Sequence, residues 1–158
     1  MRYIISIILF AVLLNSKTMS QVIDKNNIIG VWQFDSKEVN AGFFDSYQFF
    51  ANGTFKFNTN QNDATRRIIS IGGTYELINN HLILKTTYTK EVQGGYLVRS
   101  ETAGGSGWEI SGGKIITINY KTPKSSFITV GICKSEKECI LLDSRKYYQV
   151  EQDPKNFN

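Results

Sequence analysis

The sequence predicts an all-β protein, and three observations carry that reading. Apolar and polar residues alternate with a period of two through most of the chain beyond Ile28. Turn signals built on Gly and Asn recur at intervals of about ten residues. Helical spacing of apolar residues is nearly absent. The pattern fits an antiparallel barrel or sandwich. An up-and-down meander of about eight to ten strands can close into a barrel and so remove its exposed edges.

The first predicted strand is "IIGVWQFDSKEV", Ile28 to Val39. The second is Phe43 to Phe50, and Asn52-Gly53 turns it into a third at Thr54 to Thr59. Asn-Gly accepts the positive φ that tight hairpins need. "NQNDAT" is a polar loop leading to a fourth strand, Arg67 to Ile78, with Gly72-Gly73 as a bulge or corner. Asn79-Asn80 turns into a fifth, His81 to Lys90. The glycine-rich stretch that follows holds strands at Tyr96 to Ser100 and around Trp108, with a loop at Thr102 to Ser106. Lys114 to Lys121, "SSFITVGIC", "ECILLD" and "RKYYQVE" complete the set, and "QDPKNFN" is expected to fray.

The first 20 residues have the layout of a secretory signal peptide. Arg2 supplies the positive end, Ile4 to Leu14 the apolar run, and a cut falls ahead of Gln21. The run is shorter than the roughly 20 residues that span a bilayer, so no membrane anchor is expected after cleavage. Residues 21–158 then form a single domain in the periplasm or outside the cell. Cys133 and Cys139 flank five polar residues between two apolar strands, so an exported chain is expected to join them in a hairpin disulfide. The chain has 18 Lys and Arg against 14 Asp and Glu, and two of the basic residues, Arg2 and Lys17, lie in the leader. The remaining charge of +2 is scattered and does not point to nucleic acid.

Three stretches together resemble the lipocalin-like domains of secreted bacterial proteins, within the calycin barrels. They are "IIGVWQF" with Gly30 and Trp32, the aromatic hairpin "YQFFANGTFKF", and the paired strands "GGTYELINNHLIL". The resemblance covers about Ile28 to Val150. It implies that Trp32 plugs the closed end of a barrel, that Gly30 lets another element approach, and that Arg145 stacks on Trp32.

Tyr47, Phe49, Phe55, Phe57, Tyr75, Leu77, Leu84 and Tyr88 fall on inward faces under this reading. They either fill the barrel or line a cavity in it, and both readings stand. A cavity would hold a small apolar or amphipathic ligand among Tyr47, Phe49, Phe57, Tyr75, Tyr88 and Trp108. A filled barrel would leave function to the loops, with Thr102–Ser106 and Lys134–Glu138 meeting a protein partner. No cofactor or metal site is expected, since His81 is the single histidine and lies far from any cysteine or acidic cluster. No pair of acids has a spacing that argues for acid–base catalysis, though strand pairing can bring Asp45 and Glu76 together, and the serines lack a nucleophile context. The expectation is therefore a non-enzymatic protein.

Overall fold

The computed structural model describes residues 23–38, 43–100 and 107–157. The leader and the Thr102–Ser106 loop lie outside the described residues. The strands are β1 (Gly30–Phe34), β2 (Ser46–Phe49), β3 (Thr54–Asn58), β4 (Ile68–Ile78), β5 (His81–Gln93), β6 (Tyr96–Arg99), β7 (Trp108–Ser111), β8 (Lys114–Ile132), β9 (Cys139–Leu142) and β10 (Arg145–Glu151). Eight of them form a closed antiparallel ring in the order β1-β10-β9-β8-β5-β4-β3-β2. β6 and β7 pair with each other as a separate two-stranded hairpin, inserted between β5 and β8.

Local chemistry sets the turns. Gly53 has φ +81, and the Asn52 side chain accepts hydrogen bonds from the Thr54 amide at 3.0 Å and its hydroxyl at 2.7 Å. Asn79 and Asn80 both take the left-handed conformation between β4 and β5, as do Asp143 and Ser144 between β9 and β10. Short polar side chains tolerate that region best among non-glycine residues. The aromatic hairpin pairs as expected, with Tyr47 opposite Phe57 and Phe49 opposite Phe55.

Two elements differ from the sequence expectation. "KIITINYKTPKSSFITVGI" is one strand, not two. Pro123 falls in an irregular stretch of β8, between Asn119 opposite Tyr88 and Lys124 opposite Thr86, where the ladder asks for no amide donor. The tail does not fray up to Phe157. Pro154–Asn156 forms a 3-10 turn, and Gln48 Nε2 on the outer face of β2 donates to the carbonyls of Pro154 (3.1 Å) and Phe157 (2.7 Å). A buried amide with two acceptors fixes the segment against the wall.

The ring closes between the first strand and the last. Gly30 has φ +131, and a Cβ there would lie 2.6 Å from Gln149 Nε2 and 2.8 Å from the Glu151 carbonyl oxygen. Only glycine allows that approach of β10, and an irregularity of register at Val31/Trp32 accompanies it.

Cys133 and Cys139 are joined by a disulfide, with their Cα atoms 5.5 Å apart. It sits on the outer wall with Tyr148 and Leu141. Closing so short a loop contributes about 2 kcal/mol by restricting the unfolded chain. Glu136, at the tip of this loop, accepts from Lys146 Nζ and from the Tyr148 hydroxyl at 2.7 Å, with Lys37 Nζ at 3.8 Å. The Lys146 hydrogen bond, then that of Tyr148, holds the Glu136 carboxyl below its ordinary value of 4.5. A depressed carboxyl stabilises the fold above the ordinary value and loses that contribution as pH falls through the lower folded value. The melting temperatures of the native chain and of Glu136→Gln are therefore expected to differ at neutral pH and to converge in acid. Parallel curves down to about pH 2 would refute this linkage.

Candidate functional site

The interior of the ring is filled at one end. The 3-10 turn Lys25–Ile28 folds across it, placing Ile23 and Ile28 against the core. Trp32 is buried there, and its indole N–H donates to the Ile28 carbonyl at 2.7 Å. Phe49, Phe55, Tyr75, Leu82, Leu84, Val130 and Leu142 continue the core upward. Phe49 meets Tyr75 edge-on at 5.0 Å, and the Tyr75 hydroxyl donates to the Phe50 carbonyl at 3.0 Å. Of the aromatic hairpin, Phe49 and Phe55 are thus core.

Tyr47 and Phe57 lie higher and line the mouth, where a cleft of about 290 Å³ opens. Phe55, Leu84 and Ile128 form its apolar wall, and Thr86, Ser126 and Asp143 its polar side. The Tyr47 ring is held by Phe57 at 4.6 Å, Phe49 at 5.5 Å and Tyr147 at 5.6 Å. Burial pushes the Tyr47 phenol well up, and Tyr147 and the carboxylates of Asp143 and Asp45 add to the shift. Tyr147 moves the same way, chiefly by burial. Both phenols therefore stay neutral, as hydrogen-bonding groups at the edge of an apolar floor. Asp143 takes the Thr129 amide at 2.8 Å, and Asp45 takes Arg66 at 2.8 Å and the Asn60 amide at 2.6 Å.

The other residues expected at the site lie elsewhere. Tyr88 turns away from Leu84. Gly73 pairs with Thr86 and Gly72 with Tyr88, so Thr87 is an extra residue in β5. One added residue moves every later side chain to the opposite face. The Tyr88 ring accordingly covers Gly72 on the outer wall, and Thr89 takes the buried place opposite Ile71. Trp108 is 56% exposed on β7, outside the ring. Arg145 is exposed and does not reach Trp32. Gln149 is the residue opposite Trp32, and Arg145 lies four positions from it, about 13 Å along a strand. Among the described residues, the cations over aromatic rings are Lys25 on Tyr75, Lys37 on Tyr148 and Lys124 on Tyr120.

A second feature stands outside the ring. β5 and β8 run on together past the mouth, from Tyr88 opposite Asn119 to Gln93 opposite Lys114, and the β6–β7 hairpin extends them. This arm is tied to the β3–β4 loop. The Ile110 amide donates to the Ala64 carbonyl at 3.1 Å, and Arg67 Nη1 to the carbonyls of Val92 and Gly94. The arm carries large apolar side chains in the open: Tyr96 at 67%, Ile115 at 62%, Leu97 at 55% and Trp108. Leu97 is opposite Ile110 and Arg99 opposite Trp108, so Leu97, Ile110 and Trp108 share one face of the hairpin. Sequence reasoning missed this cluster because alternation shows which residues share a face, not whether anything covers it.

Among the described residues, no three His, Cys, Asp or Glu side chains converge as a group that could hold a metal ion. Comparison of the chain with protein-family models, with curated proteins and with solved structures returns no match in any of the three.

Proposed function

We propose that the chain is an exported, non-enzymatic, lipocalin-like protein that acts as an interaction module, meeting a protein partner through its arm. One observation carries this reading. Tyr96, Leu97, Trp108 and Ile115 stand exposed beyond a ring whose own core is filled without them. Leu97 and Trp108 share one face of the hairpin and Tyr96 lies on the other, and apolar groups left side by side in water mark surfaces that another molecule covers. The buried Trp32 at the closed end and the close approach at Gly30 support the lipocalin-like assignment. The disulfide is compatible with export, as is the finding that no helix among the described residues is long and apolar enough to cross a membrane.

A photo-crosslinking residue at Leu97 or Trp108, tested in the native host, is expected to trap a discrete protein adduct. The same residue at Thr74, exposed on the outer face of β4, serves as control. Absence of an adduct from the arm, or an equal one from Thr74, would refute the reading.

The mouth favours a second reading, a small amphipathic ligand seated on Tyr47 and Phe57. Its volume of about 290 Å³ lies at the lower limit of ligand pockets. Native mass spectrometry of protein purified gently from its host would then show an added mass that denaturation removes. A bare mass, together with no change in melting temperature on titration with alkyl and aryl amphiphiles, would count against it.

A further inference from the structure

We infer that the free edge of β8 takes up an extended, acidic segment of the partner protein as an added strand. The inference rests on the interaction reading above and gives that interaction a chemistry. β8 pairs with β5 from Lys114 to Thr129, but with β9 only through Val130–Ile132. Among the described residues, its other side has no ladder partner above that point. On either side of the irregular stretch that holds Pro123, such an edge offers unused backbone donors and acceptors, and a peptide that pairs with it gains affinity from main-chain hydrogen bonds.

The side chains along the edge select what can pair. Lys114, Lys121 and Lys124 lie on β8, and the strand has no Asp or Glu. Lys114 faces Gln93 and Lys124 faces Thr86 across the ladder, so neither is opposite an acid. No ion pair engages the three among the described residues. A second copy of β8 would set lysines against lysines, and like charges across strands repel. An acidic segment meets the opposite situation. The edge also leads to the mouth, because Ser126, Phe127 and Ile128 border the cleft that Tyr47, Phe57 and Asp143 line. A strand added there passes the cleft and seats one apolar side chain in it. The segment is therefore acidic along its length, with an apolar residue placed for the cleft.

The test is selection of a random-peptide display library on the disulfide-intact protein, with amide hydrogen exchange mapping the bound site. Enriched peptides are expected to carry Asp and Glu around an apolar residue and to slow exchange along 124–128. Charge reversal by Lys121→Glu with Lys124→Glu, both exposed positions, removes the Lys124 contact with the Tyr120 ring and is expected to lower the melting temperature by no more than a few degrees. It should weaken the selected acidic peptides about tenfold and shift selection toward basic ones. Selection without charge bias, a bias that the reversal does not move, or protection over Tyr96–Arg99 instead would overturn strand addition. Failure here with arm crosslinks retained leaves the interaction module standing and removes only this docking mode. Concentration-dependent dimers that protect 124–128 without peptide would replace the acidic segment with a second copy, and so overturn the inference.

Discussion

Substitution of Gly73 by alanine is expected to destabilise the ring by about 3 kcal/mol, the upper end for overpacking a closed site. Gly73 lies where β5 carries its extra residue. A Cβ added there would collide with the Lys85 carbonyl group and the Thr87 amide nitrogen. All of these are backbone atoms, so no side chain can move aside. Gly72 makes the informative comparison. Its added Cβ would meet the ring of Tyr88, a side chain that can swing outward. Gly72→Ala is expected to cost about 1 kcal/mol. Urea denaturation of the two variants measures the difference, and equal losses would show that the bulge relaxes more readily than its contacts imply.

Truncation of Trp32 to alanine is the other large effect, about 4 kcal/mol, because a buried indole leaves a cavity that its surroundings fill only in part. Trp32→Phe separates packing from hydrogen bonding. It keeps much of the volume and leaves the Ile28 carbonyl without its 2.7 Å donor, which costs about 2 kcal/mol. A phenylalanine variant as stable as the native protein would mean that water or a shifted 3-10 turn satisfies that carbonyl.

The hairpins were legible because their determinants are local. Asn52-Gly53 and Asn79-Asn80 declare their turns in two residues each, and alternation through "YQFFANGTFKF" places Tyr47, Phe49, Phe55 and Phe57 on one face. Tyr88 was not legible, because Thr87 is an ordinary strand residue whose insertion shows only once β4 lies beside it. The course of β8 was hidden by Pro123, which reads as a break yet falls where the ladder is already irregular. Arg145 was assigned by its place near the end of the chain. The register of β10 on β1 decides the matter, and it brings Gln149 to Trp32 instead. Of the mouth, Tyr47 and Phe57 were readable, while Asp143, Ser126 and Thr86 come together only through pairings distant in sequence. Trp108 was recognised as a strand residue, but pattern alone does not tell a strand inside the ring from one beyond it.

The seam between β1 and β10 has a consequence for the order of events in folding. Ile29 and Gln149, joined across it by a hydrogen bond of 3.0 Å, are 120 residues apart in the chain. During synthesis β1 can pair with β2 early, but its other neighbour, β10, exists only after the intervening chain has been made. Pairings this distant form late and slowly, since the intervening chain must lose its freedom first. The hairpins β2–β3 and β4–β5 can form early. The nascent chain would then carry Trp32 and the edge of β1 uncovered until the last strand arrives, a period in which a chaperone is most useful and aggregation most dangerous.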